Sequence, residues 1–170
     1  EKVEELANII FAFGEERKSR KIAKAIIEYK KNKKIQTTIE LANIIQSVKG
    51  LKKRGIHPST KTFQAIRIYI NNELEEIKKG LIATKNILTK GGRLVVISFH
   101  SLEDRLIKNF LYKQSGKLYN KSRYLPPVTP NIKLSPSFKI LTKKVVRPKI
   151  NEIKSNFYSR SAKLRAAERL

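Results

Sequence analysis

Apolar residues recur at helical intervals along the first fifty positions. Val3, Leu6, Ala7, Ile10 and Phe11 mark one face, and Gly14 reads as its stop. Ile22, Ala25, Ile26 and Tyr29 mark a second face within residues 15–31, with Arg17, Arg20, Lys21, Lys24 and Lys31 over the remainder. Thr37 and Glu40 have the spacing of a capping box, ahead of Leu41, Ile44, Ile45 and Val48 and a terminating Gly50. Helices this short are marginal alone, so they have to pack together or on another element.

A linker at 50–59 carries Gly50, Gly55 and Pro58, and Ser59 or Thr60 caps the next helix. Phe63, Ile66, Ile70, Leu74, Ile77 and Leu81 form one stripe at intervals of three and four, with Gly80 as the expected dividing point within 60–89. Gly91 and Gly92 close that helix. The unbroken apolar run in Arg93 to Ser98 then predicts a strand buried on both faces, as in a parallel α/β sheet. Ser101 and Asp104 read as a second capping box, opening a helix to about Tyr112. Residues 113–137 form a long basic loop with Gly116, Pro126, Pro127, Pro130 and Pro136. Phe138 to Val146 reads as a strand, and Ser161 to Leu170 as a short final strand or helix, with strand favoured. The alternation of small or apolar with basic residues in Ser159 to Arg165 suits an edge strand with one charged face or a phosphate contact. The rhythm is α/β and doubly wound.

Composition sharpens this picture. The chain has 170 residues, 38 Lys plus Arg, 14 Asp plus Glu and a net charge of +24. A field of that sign attracts polyanions, either nucleic acid or an anionic membrane surface. From residue 111 onward the only acids are Glu152 and Glu168, so the field is strongest in the last third. No apolar run reaches the ~20 residues of a membrane span. Without Cys there is neither a disulfide nor a thiolate metal site, and two His with one Asp argue against a metal centre. The chain has no Met and opens at Glu1 inside a helical pattern, which leads us to expect a fragment.

Two places carry candidate chemistry. His100 and Ser101 sit where a strand gives way to a helix, the end at which open α/β sheets bind ligands. The plainer alternative is that Ser101 caps and His100 bonds to backbone. A Ser-His-Asp relay with Asp104 is poor, because nothing positions a base. Arg17, Arg20, Lys21 and Lys24 share a helix side suited to phosphates, although a solvated lysine-rich helix looks alike. Lys61 and Arg67 are cations on the polar face of the following helix. No glycine-rich strand–helix loop and no acid at the end of a ribose-binding strand is present.

Four stretches, Phe13 to Ile27, His57 to Leu74, Gly91 to Arg105 and Ser159 to Arg169, closely resemble the bacterial small-subunit ribosomal RNA cytosine-N4 methyltransferases, the RsmH or MraW family. They keep the family's order and span nearly the whole chain, with Lys18 where the family usually has an aromatic. The resemblance covers only the C-terminal portion. It implies the C-terminal half of a class I S-adenosylmethionine-dependent methyltransferase sheet plus part of a helical insert domain. Residues 1–55 would be the partial substrate-recognition insert and 56–170 the C-terminal part of the methyltransferase domain.

The implied reaction is methyl transfer from S-adenosylmethionine to the exocyclic amine of a decoding-region cytidine in 16S rRNA, on the small ribosomal subunit and in the cytoplasm. The family's cofactor-binding positions have no counterpart in this chain, so the expectation is no cofactor-binding residue here and no activity for the fragment alone. His100 and Ser101 become candidates for the active-site rim. Arg17, Arg20, Lys21 and Lys24, then Lys61 and Arg67, become the RNA face. Neither metal nor membrane is implied. The alternative is a non-catalytic basic RNA-binding, ribosome-associated module, and last comes helix-turn-helix DNA binding by residues 1–50.

Overall fold

The structure, a computed structural model, describes residues 2–50, 57–116 and 135–170. Most of the expected linker, the expected boundary at 55–56 and most of the basic loop 113–137 lie outside the described residues. The chain divides into two compact units, Glu1–Glu73 and Leu74–Leu170.

The first unit holds α1 (Val3–Gly14), α2 (Ser19–Asn32), α3 (Thr38–Lys49) and α4 (Thr60–Ile70). The apolar faces meet as their spacing predicts. Leu6, Ala7 and Ile10, then Ile22, Ala23 and Ile26, then Ile44 and Ile45 form a single core. The capping box of α3 is present: Thr37 Oγ1 accepts from the Glu40 amide at 3.1 Å, while the Glu40 carboxylate accepts from the Gln36 and Thr37 amides at 2.8 and 3.2 Å. Gly14 does something other than stop α1, since the left-handed residue is Glu15 with φ 50°. Gly14 instead lets α4 approach, because a Cβ there would lie 2.5 Å from the Lys61 carbonyl oxygen.

The long stripe divides between α4 and α5 (Glu73–Ile87), at Asn71 and Asn72 and not at Gly80. Asn72 has φ 50°, a conformation that Asn adopts more readily than other side-chain-bearing residues. Gly80 stays helical, where it costs only ~1 kcal/mol relative to Ala.

The second unit contains most of α5, then β1 (Arg93–Ser98), α6 (Ser101–Gln114), β2 (Phe138–Ile140), α7 (Ile150–Ser155), a 3₁₀ turn (Phe157–Ser161) and β3 (Lys163–Arg169). The sheet order is β1-β3-β2, with β3 antiparallel to both neighbours, so β1 and β2 run parallel to each other. The last segment is a strand as expected, but it is central and not an edge. Strand 138–146 is shorter than expected: it leaves the ladder after Ile140 and rejoins it only at a Val146–Leu164 bridge.

Nor is β1 buried on both faces. Leu94 and Val96 pack with Leu81, Ile107, Leu111 and Phe138 in a second core, whereas Val95 and Ile97 are 56% and 55% exposed. Among the described residues, α5 and α6 supply that core's helical side, on one face of the sheet only.

Candidate functional site

The α1–α2 turn gathers the cations that the sequence placed on one helix side. Because α2 begins at Ser19, Arg17 precedes it and only Arg20, Lys21 and Lys24 lie on the helix. The turn is fixed from beneath by buried Glu16, which accepts from the Lys18 amide at 3.0 Å and from the Lys49 ammonium. Lys49 also donates to the Pro58 carbonyl at 2.7 Å. Burial pushes the Glu16 carboxyl up, but Lys49 and the Lys18 amide outweigh it and hold the group below the ordinary carboxylate value.

Above this support, Asn8, Phe11 and the run Arg17 to Lys21 line a groove of about 340 Å³. No acid lines it, and Arg17, Arg20 and Lys21 have no ion-pair partner among the described residues. Lys24 lies 3.9 Å from Glu28 in an exposed pair that contributes little. Lys61 and Arg67 are placed elsewhere and are already engaged. The Lys61 ammonium donates to the Glu15 carbonyl at 3.0 Å, and Arg67 grips Glu73 through Nε and Nη2 at 2.7 and 3.1 Å.

The β1–α6 turn holds the other two candidates. His100, not Ser101, is the N-cap of α6. Its Nδ1 accepts from the Glu103 amide at 3.4 Å, and the Glu103 carboxylate accepts from the Phe99 and His100 amides at 2.8 and 3.3 Å. The box needs a side chain three residues on that reaches back, and Glu103 does so where the shorter Asp104 does not. The buried Nε2 of His100 lies 3.2 Å from Glu103 Oε1, an electrostatic contact without a directed hydrogen bond. Burial raises the Glu103 carboxyl, but His100 and the Phe99 amide prevail and bring it to about 2. Ser101 is thereby the first helical residue.

Asp104 turns to Arg165 of β3, accepting from Nε and Nη2 at 2.7 and 3.1 Å. That guanidinium holds the Asp104 carboxyl below its ordinary value against an opposing push from burial. Asp104 is thus committed away from His100, and no relay forms.

The β1–α6 turn is not built as a cradle for S-adenosylmethionine. The turn after β1 has no glycine, and its amides at Phe99, His100 and Glu103 are taken by its own side chains. Two buried or half-buried ion pairs, Glu16–Lys49 and Asp104–Arg165, escaped the sequence reading because their partners stand 33 and 61 residues apart. Phe11 is exposed at the end of the apolar stripe of α1 and lines the groove with Arg17 and Lys18, an aromatic among cations.

Comparison with known proteins places these features in a family. The MraW methylase family matches residues 1–170. A ribosomal RNA small subunit methyltransferase H from Rickettsia prowazekii (strain Madrid E) is 51% identical over 169 residues, covering 98% of this chain and 54% of that protein. The protein of the same name from Afipia carboxidovorans is 50% identical over 165 residues, covering 97% of this chain and 48% of its own. The chain spans about half the length of these curated relatives. With residues 1–170 matched, the chain belongs to the MraW methylase family.

Proposed function

We propose that this chain is the RNA-engaging, C-terminal portion of a ribosomal RNA methyltransferase that modifies the exocyclic amine of a small-subunit cytidine in the cytoplasm. The observation that carries the reading is the 51% identity, over 169 residues, to a protein named ribosomal RNA small subunit methyltransferase H. Residues 1–55 then serve as part of a helical substrate-recognition insert. Residues 56–170 complete a class I methyltransferase sheet, with α4 packing back on α1.

The exocyclic amine is a weak nucleophile, because its lone pair is delocalised into the ring. Catalysis therefore demands that the base leave its stack and be held in line with the methyl donor. S-adenosylmethionine supplies that methyl group. Arg17, Arg20, Lys21 and Lys24 supply the phosphate contacts that position the RNA. Lys61 and Arg67, engaged within their own unit, contribute less. His100 and Ser101 border the reaction site at the carboxyl end of β1, with His100 acting through the turn that it caps.

The groove lined by Arg17 to Lys21, which meets phosphates without any cofactor, favours a second reading, a non-catalytic RNA-binding module. Methyl transfer decides between the two. The chain alone is expected to bind small-subunit RNA without methylating it, and to support methylation once it replaces the matching segment of a relative. Absence of salt-dependent RNA binding by the chain would defeat both readings.

A further inference from the structure

The 3₁₀ turn between α7 and β3 presents two aromatic rings to solvent. Tyr158 is 86% exposed and Phe157 is 62% exposed. Their backbone is fixed. Asn156 Oδ1 accepts from the Tyr158 amide at 3.2 Å, Ser159 Oγ donates to the Asn156 carbonyl at 2.8 Å, and the Ala162 amide donates to the Ser159 carbonyl at 2.8 Å. Ser159 itself is buried, so the turn is pinned through it while residues 157 and 158 face outward. The Arg160 guanidinium lies 4.2 Å over the Phe157 ring centre, which adds a cation to the flat surface.

Position and charge give these rings a purpose. The turn runs into Lys163, which pairs with Ser98 at the carboxyl end of β1. That is the sheet end from which Phe99, itself exposed, leads into the His100 cap. Around the turn the sequence carries Arg147, Lys149, Lys154, Arg160 and Lys163 against Glu152 alone. Val95 and Ile97 offer a contrast, being aliphatic and set on a pleated face, the composition that another layer of protein covers. Solvent-facing aromatic rings among cations are instead the composition of single-strand nucleic-acid surfaces.

We propose that Phe157 and Tyr158, with Arg160, form a stacking platform for unpaired RNA bases beside the carboxyl end of β1. The proposal rests on the RNA reading above and deepens it: the platform holds the strand next to the base to be modified. Bases in a duplex hide their faces, so the platform selects single-stranded RNA.

The test is fluorescence anisotropy with the full chain, using a short labelled single-stranded RNA and the same RNA in a duplex. Replacing both rings (Phe157→Ala with Tyr158→Ala) is expected to weaken single-strand binding by about tenfold or more. Duplex binding and the salt slope stay near the wild-type values, because the rings carry no charge. The swap Phe157→Tyr with Tyr158→Phe keeps both rings and is expected to retain wild-type affinity. Equal single-strand affinity for the wild type and the double alanine variant overturns the platform while leaving the RNA reading intact. Failure of the wild type to bind either RNA overturns the RNA reading, and the platform with it.

Discussion

Arg165 is buried in the middle of β3, and Asp104 of α6 meets it with two hydrogen bonds. Removing one partner leaves the other charge poorly solvated. Asp104→Asn is therefore expected to destabilise the second unit by ~3 kcal/mol in urea titrations. Removing both partners, Asp104→Leu with Arg165→Met, is expected to cost less than the single change. Gly14 makes a second test at this scale. Its missing Cβ leaves room for the Lys61 carbonyl, so Gly14→Ala is expected to lower the stability of the first unit by ~1–3 kcal/mol through overpacking. Neither role was visible in the sequence. Local spacing made Asp104 a cap partner and Gly14 a helix stop, because the residues that give them their jobs come from distant elements. Arg17, Arg20 and Lys21 were legible as a cationic cluster, although the turn before Ser19 moved Arg17 off the helix.

At the scale of elements, periodicity found every long helix among the described residues and missed the short ones. α7 and the 3₁₀ turn are too brief to show a period. The break at Asn72 was hidden because the apolar stripe continues through it. β1 misled for a different reason. An unbroken aliphatic run speaks of two covered faces, while the described residues cover one. The two capping boxes supply the measurable consequences. Thr37→Ala is expected to cost ~1 kcal/mol, read from thermal unfolding followed by helical circular dichroism. The Gln36 amide, Lys33 and the Thr37 amide hold the Glu40 carboxyl at about 2, and Glu103 is likewise held at about 2. A carboxyl depressed in the folded state contributes stability above its unfolded value, and that stability is lost as pH falls toward the folded value. Stability is thus expected to be level above roughly pH 5 and to decline from about pH 4.5 to about 2. Glu103→Gln is expected to flatten part of that decline. An unchanged acid limb in this variant would show that the α6 box contributes nothing.

For the molecule as a whole, the α/β character and the strand at 163–169 were legible from pattern, and the cationic excess from composition. The strand order was not legible, because the insertion of β3 between β1 and β2 depends on pairings across the whole second unit. That order puts β1 at an edge of the described sheet, with Val95 and Ile97 open. The isolated chain is accordingly expected to self-associate, and Val95→Lys with Ile97→Lys to restore a monomer by light scattering. Removal of Arg17, Arg20, Lys21 and Lys24 together is expected to reduce the salt slope of RNA binding by about 3, if each meets one phosphate.

The central claim is that this chain is a working portion of a small-subunit rRNA methyltransferase. It is tested most directly by substituting the chain for the matching segment of the Rickettsia prowazekii relative. Methyl transfer from labelled S-adenosylmethionine to small ribosomal subunits is then measured. The expected result is methylation of small-subunit RNA at the same position that the intact relative modifies. A folded, cofactor-binding chimera that leaves the RNA unmethylated while the relative modifies it would contradict the claim.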